Sequence, residues 1–507
     1  MTGFRLPDGG LIARERPLSF CFDGASFAGF SGDTLASALL ANGVRVVGRS
    51  FKLHRPRGIV AAGPEEPNAL VELRGGPRRE PNRPATTIEL YDGLEAASQN
   101  RWPTLGFDLL RVNDLIAPFL PAGFYYKTFK WPASFWERVY EPAIRRAAGL
   151  GRGAGKADPD RYDIVHAHCD VLVVGSGAAG LAAARAAAKA GARVILAEGD
   201  AAFGGGTLLE PGWAAWRAAA LDELRESPDA SLLASTQVVG AYDGTVFAAA
   251  ERVADHAPQP GSDQVRERLW VIRARRAILA TGAAERLVAF PGNDRPGVML
   301  AGAVRAYLAR FAVAAGRRAV LFCANDEAYA TAFDLAAAGV AIVGIVDPRP
   351  DSGTAARAEA SGLPVLRAHE VCGTAGRPAL DAVRIRRVGE RGERRLAADL
   401  LCVSGGFNPQ LQLASQARVR LRYDERLLAF VPEDGRGDVQ VAGAARGVFG
   451  CAAARRDGEI AGIAAALACG FEPPPATAPE PRQESTTPAA ALWEVRDRGK
   501  AFVDLQH

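Results

Sequence analysis

The chain has 507 residues, room for two to four domains at roughly 100–200 residues each. Hydrophobic residues make up 48% and charged residues 23%, which excludes a wholly disordered or fibrous chain. Sixty-one basic against 57 acidic side chains leave a net charge of +4, too even over this length for a surface built to bind nucleic acid. Seven cysteines, at 21, 169, 323, 372, 402, 451 and 469, form no CxxC and no metal-ligand spacing. A reducing compartment is the economical reading. With no leader-like N-terminus and no run of 18 apolar residues, the expectation is a cytoplasmic protein without membrane contact or metal.

In chain order, PLSFCFDGASF reads as a hairpin turning at Asp23-Gly24. Asp33 is placed to cap a short helix, LASALLANG, which Gly43 closes. VRVVG and ALVELRG follow as strands around the basic SFKLHRPRG, and the pattern predicts a small α+β domain of the β-grasp type over residues 1–95. Residues 96–165, aromatic and proline-rich with GFYYKTFKWP at 123–132, predict an extended connecting arm.

From Asp170 the pattern becomes VLVVG, a glycine turn, an alanine-rich helix to Lys189 and a second strand RVILAEG, a β-α-β unit on a parallel sheet. A second such unit starts at Arg318 with AVLFC, a helix through FDLAAAG and the strand AIVGIVD. RRAILATGA, DLLCVSGG and DVQVAGAARG are further strand-to-turn segments. The fold class is therefore α/β with two dinucleotide-binding, Rossmann-like units: one over 166–295 and 400–470, the other inserted at 296–399. Residues 471–507, poor in large apolar side chains over most of their length, predict a flexible linker and tail.

Gly175-Ser-Gly177-Ala-Ala-Gly180 follows a strand and opens a helix, and Glu198 ends the next strand. Gly175 permits the tight turn, Gly177 the approach of a pyrophosphate to the helix N-terminus, and Gly180 close helix–strand packing. Glu198 is placed to accept from an adenosine ribose and would repel a 2′-phosphate, so NAD or FAD is favoured over NADP. The second unit's turn, Cys323 to Tyr329, holds no glycine and carries Asp326 and Glu327; it is read as degenerate. Ala442-Gly443-Ala444-Ala445-Arg446-Gly447 lacks the aspartate that usually serves a flavin there. Arg446 is either a phosphate partner or a solvated arginine. His166 and His168 find no ligand partners in register, and six scattered histidines suggest no Ser-His-Asp constellation.

GDTLASALLANG (32–43), GRSFKLHRPRG (48–58), GPEEPNALVEL (63–73), GFYYKTF (123–129), VVGSGAAGLAAA (173–184), LATGAAERLVAFPGNDRPGVMLAGAV (279–304), VSGGFNPQLQL (403–413) and VAGAARG (441–447) run in order through the chain. On these segments it resembles the α subunits of heterotetrameric sarcosine oxidases, within a wider group that includes opine oxidases, hydrogen cyanide synthase and amino-acid dehydrogenases. The resemblance implies an oxidoreductase subunit that works in a complex oxidising sarcosine to glycine, with oxygen reduced to hydrogen peroxide. It further implies FAD on a β-type flavoprotein partner, FMN at the subunit boundary, small additional subunits, and NAD in the glycine-loop site.

Carried over by motif, the NAD site comprises Gly175, Gly177, Ala179 and Gly180, then Glu198, Gly199 and Asp200, then Gly206 or Thr207, with Val238 on the adenine side and Ala444 toward the nicotinamide. Lys52, His54 and Lys127 are the candidates for the neighbourhood of FMN, and each reads equally as structural or as an interface residue. The β-grasp segment resembles a [2Fe–2S] ferredoxin domain, yet no cysteine lies between Cys21 and Cys169, so a cluster-free domain is expected. Long members of the group continue into a folate-binding domain; LWEVRDRGKAFVDLQH resembles the lead-in to it, and the folate site is expected to be absent. Two other readings stand beside the leading one: a self-sufficient FAD-dependent oxidoreductase or related dehydrogenase subunit, and a non-catalytic scaffold.

Overall fold

The computed structural model describes residues 3–117, 131–147, 149, 151–257, 260–261, 263–433, 437–479 and 488–503. Strands β1 (Ala13–Phe22) and β2 (Ala25–Ser31) form the hairpin. Asp23 and Gly24 take φ of 51° and 80°, as a two-residue turn matched to strand twist requires. Helix α1 (Leu35–Ala41) is buried along its whole length. Its cap is Thr34 rather than Asp33, in a reciprocal pair: Thr34 Oγ1 accepts from Ser37 N, and Ser37 Oγ accepts from Thr34 N. Asp33 is engaged elsewhere, receiving both guanidinium nitrogens of Arg5. Strands β3 (Leu70–Leu73), β4 (Glu80–Pro84) and β5 (Leu94–Ser98) complete a five-stranded sheet in the order β2-β1-β5-β3-β4, with β1 and β5 parallel. Of VRVVG only Gly48 joins a strand, in the two-residue ladder Gly48–Arg49 against Pro56–Arg57.

The first nucleotide unit is built from β6 (Tyr162–Val174), α2 (Ala178–Lys189), β7 (Val194–Ala197), α3 (Ala214–Glu226), β8 (Ala230–Leu233), β9 (Thr236–Tyr242), β10 (Val246–Arg252) and β11 (Glu267–Leu279). Its sheet runs β8-β7-β6-β11-β10-β9. The last six residues of β6, Cys169–Val174, are fully buried, whereas its first seven are half-buried or exposed; His166 and His168 lie in that open half. The chain leaves through β12 (Ala283–Glu285) and enters the second unit: β13 (Val298–Leu300), α4 (Ala301–Phe311), β14 (Arg318–Cys323), α5 (Tyr329–Ala337), β15 (Ala341–Asp347) and β16 (Val365–Arg367).

An antiparallel layer of β17 (His369–Ala375), β18 (Ala382–Arg387) and β19 (Glu393–Ala397) follows. Then β20 (Leu400–Ser404), buried at every position, inserts between β13 and β14 in the parallel sheet β13-β20-β14-β15-β16. The strand at 400 thus serves the second sheet. The chain crosses back on β21 (Phe407–Pro409), antiparallel to β12, and rejoins the first sheet only at β22 (Val439–Val441), parallel to β11. Helix α6 (Cys451–Ala468) then lies against α2.

The β-grasp domain shares one apolar core with the second unit, where Leu35, Leu39, Val71 and Leu94 join Tyr307, Phe311 and Leu321. Residues 488–503 are also docked. Leu492 and Val495 pack into the core of the second unit, and Val495 N donates to Ala289 O. A run that reads as a polar tail still carries enough apolar side chains to be held.

Candidate functional site

The glycine turn sits between β6 and α2. Gly175 has φ of 94°, and a Cβ there would lie 2.4 Å from Ala280 O; a Cβ on Gly180 would lie 1.8 Å from Gly175 O. Gly177 is the N-cap of α2, no side chain caps it, and a Cβ there would meet nothing within 4 Å. The space in front of a twelve-residue helix is therefore open at the end where its dipole is positive.

Glu198 closes one side. Its Oε2 accepts from Ser176 N at 2.8 Å and from Ser176 Oγ at 2.6 Å, while Oε1 accepts from Asp200 N at 2.9 Å. Ser176 Oγ in turn accepts from Gly204 N, so the loop at 204–207 is tied to the glycine turn. Gly206 stands open, whereas Thr207 is fully buried and donates to Gly204 O. Asp200 is held by both guanidinium nitrogens of Arg310, at 3.0 and 2.7 Å, and Gly199 O accepts from Arg252. Val238 lies beside Gln237, which closes over Gly199, but its own side chain is in the core with Val174, Ile195 and Ala197. The Gly443–Arg446 turn, which carries Ala444, reaches the start of α2: a Cβ on Gly443 would lie 2.7 Å from that of Ala179.

The acid missing from that turn's sequence is present in space. Asp457, on α6, accepts from Gly443 N at 2.7 Å and pairs with Arg446 at 2.8 Å. It lies 14 residues downstream of Gly443, and only the packing of α6 on α2 brings it back. That packing relies on two glycines: a Cβ on Gly458 or Gly462 would lie 2.0 Å from Ala179 O or 2.3 Å from Ala183 O.

A cavity of about 330 Å³, lined among others by Asn325, Glu327, Phe407, Pro488 and Ala489, remains open beside the corresponding crevice of the second unit. Arg349 stands at the turn of that crevice, paired with Asp326 at 2.8 Å and Asp347 at 2.8 Å, and Tyr329 Oη donates to Asp347. Ala490 N donates to Ala324 O, which lays the 488–495 segment along the same edge.

Of the flavin candidates, His54 is buried with φ of 50°, and its Nδ1 is 2.8 Å from Asp108 Oδ2. Its neighbours Arg55 and Arg57 both pair with Asp294 of the loop before β13. Lys52 lines a cavity of about 270 Å³ with Arg49, Arg57, Asn68 and Phe502. Lys127 lies outside the described residues. Cys372, Glu393 and Asp497 bring ligand atoms within 4.8 Å of one another, but Arg384 and Arg386 neutralise the two carboxylates. The seven cysteines are free thiols. Among the described residues no helix is long and apolar enough to cross a membrane.

A mixed and a parallel sheet linked by a double crossing, one glycine turn at a helix N-terminus and a carboxylate at the next strand end define a dinucleotide-binding oxidoreductase fold. The sequence profile of the pyridine nucleotide-disulphide oxidoreductases matches residues 169–439, and the chain belongs to that family. A profile of 2Fe-2S iron-sulfur cluster binding domains matches residues 15–101. The chain is 48% identical, over its full length, to sarcosine oxidase subunit alpha of Rhizobium meliloti (strain 1021), covering 52% of that protein. It is 38% identical, again over its full length, to sarcosine oxidase subunit alpha of Corynebacterium sp. (strain P-1), covering 50%. It thus spans about half the length of these relatives. The crystal structure of L-proline dehydrogenase from P. horikoshii superposes over 94% of this chain and 77% of that one, with a TM-score of 0.61 at 18% identity, a likeness of fold.

Proposed function

We propose that the chain is the NAD-binding subunit of a multisubunit, flavin-dependent amine oxidase of the sarcosine oxidase type, acting in the cytoplasm. The observation that carries this reading is 48% identity, across the whole chain, to a protein named as sarcosine oxidase subunit alpha. The complex would convert sarcosine, oxygen and water into glycine, formaldehyde and hydrogen peroxide. Bound flavins supply the electron transfer: FAD on a β-type partner and FMN at the boundary with this chain, with small subunits completing the assembly.

The part of this chain is to bind and orient. The N–H groups at the start of α2 receive the pyrophosphate of NAD, and Glu198 turns from Ser176 to the adenosine ribose hydroxyls. Its charge disfavours a 2′-phosphate. Asp457 holds the Gly443 turn, and with it Ala444, against the nicotinamide half. Arg349 with Asp326 and Asp347 stands at the turn where a second pyrophosphate would bind, and the turn's carboxylates disfavour one there. The basic cavity at Lys52 is the chain's candidate wall for FMN, together with Lys127.

The test is the absorption spectrum of the purified chain, then denaturation and mass identification of any released nucleotide. Released NAD without a flavin band is the expected result. Stoichiometric FAD with a visible band would overturn it and make the chain a self-sufficient flavoenzyme. Appreciable sarcosine oxidation by the single chain would do the same.

A further inference from the structure

A [2Fe–2S] domain is held by four thiolates, and in the plant-type arrangement three of them follow the spacing C-x₄-C-x₂-C. The profile of such domains covers residues 15–101, where Cys21, on β1, is the one cysteine. The cluster's residues are therefore missing, and the loop that leads into β3 is nevertheless tightly formed. Laid on that loop so as to end at the residue before Leu70, the spacing falls on Ala61, Glu66 and Ala69. All three are buried, at 0%, 3% and 0% exposure.

Glu66 is the centre of this loop. Its Oε2 accepts from Val60 N at 2.8 Å and Ala61 N at 2.7 Å; its Oε1 accepts from Asn68 N and Ala69 N, both at 2.8 Å. Two residues of the thiolate spacing thus aim their N–H groups at the third. No ion pair to Glu66 occurs among the described residues, and the four donors to its carboxylate are all backbone N–H groups, as in other anion-binding nests. Burial works the other way and lifts the carboxyl to about 7, which is why so many donors must converge.

We propose that the Glu66 carboxylate takes the place of the iron–sulfur cluster in this domain, as the anion around which the loop between α1 and β3 closes. A cluster anion and a carboxylate ask the same thing of the backbone, several N–H groups turned inward. The outer side of the loop shows what the closure serves. Val60 O accepts from Leu300 N at 2.9 Å and Ala61 O from Tyr307 Oη at 2.9 Å, so the residues whose N–H groups hold Glu66 present their carbonyls to the second nucleotide unit. The carboxylate shapes a docking edge and transfers no electron. This assignment is independent of the nucleotide bound at Gly175.

The test is amide hydrogen exchange on the full chain at pH 8, with iron and acid-labile sulfide analysis. Val60, Ala61, Asn68 and Ala69 are expected to be protected as strongly as the β1–β2 ladder, with iron and sulfide below a tenth of an atom per chain. In Glu66→Gln, where an amide nitrogen faces two of the donors, the four N–H groups should exchange at least tenfold faster while the β6–β11 ladder keeps its rates. Unchanged exchange in that variant overturns the proposal. Should the variant fail to accumulate as folded protein, the unmodified chain decides: near-stoichiometric iron and sulfide, or exchange of these four amides at the rate of an open peptide, overturns it equally.

Discussion

Arg74 and Asp255, 181 residues apart, join the β-grasp domain to the first nucleotide unit: the guanidinium of Arg74 donates to the backbone carbonyl of Asp255 at 2.7 Å and to its carboxylate. Arg83 reaches the other carboxylate oxygen at 2.7 Å, and Arg266, 1% exposed, approaches from the first unit's own side. Burial opposes ionisation of Asp255, but Arg83 and Arg74 outweigh it and hold the carboxyl down at about 2.

Asp255→Asn should therefore leave three guanidiniums facing one another. The expected loss is about 3 kcal/mol in urea unfolding, the scale for removing one partner from a buried ion pair. The native contribution is present above the unfolded aspartate's pKa near 4 and fades as the pH falls through 2. A variant as stable as the unmodified chain would show that the Asp255 cluster does not hold the two domains together.

Glu198→Gln should weaken NAD binding by about 10-fold or more, as expected for charge-assisted hydrogen bonds lost to a ribose. Calorimetric titration against NAD and NADP is the check. Discrimination against NADP should narrow at the same time, because the repelling charge is gone.

Gly458→Ala places a methyl group 2.0 Å from Ala179 O, far inside contact distance. Helix α6 must retreat from α2, taking Asp457 with it. The expected cost is about 1–3 kcal/mol in stability, the range for overpacking, together with weakened NAD binding. Thermal unfolding and the same titration would report both, and tight NAD binding in the variant would detach Asp457 from the site.

Glu285 is half-buried, with its carboxyl turned inward at the N-terminus of α4, where Oε2 accepts from Gly302 N at 2.7 Å. Burial lifts its carboxyl to about 7, against the pull of Ser404 and the Gly302 N–H. The folded chain then binds a proton that the unfolded chain has released. Its contribution is full below about 4.5 and is lost as the pH rises through 7. Melting temperature should fall between pH 5.5 and 8, and in Glu285→Gln that slope should flatten. An identical slope in the variant would assign the pH dependence to other groups.

The glycine turn and Glu198 were legible in the chain because every contact that defines them is local to one strand–turn–helix–strand unit. The hairpin at Asp23-Gly24 was legible for the same reason, its two residues setting the turn by themselves. At the cap of α1 two adjacent residues, Asp33 and Thr34, have the right chemistry, and the cap falls to Thr34 because Arg5, 28 residues away, engages Asp33.

What the amino-acid order determined by itself was the succession of units, the one glycine loop fit for a dinucleotide, and the lack of a cluster-binding cysteine set in the β-grasp domain, where Cys21 stands alone. Tertiary structure alone decided that Asp457 would serve the Gly443 turn, that Val238 would point into the core, and that Arg349 would pair with Asp326 and Asp347 beside the docked 488–495 segment. It also turned Glu66 from one acid in GPEEPNALVEL into the centre of four hydrogen bonds. The difference is physical. A turn or a cap is fixed by dihedral preferences a few residues long, whereas a carboxylate's partner is whichever donor the packing of distant helices and strands leaves within about 3 Å of it.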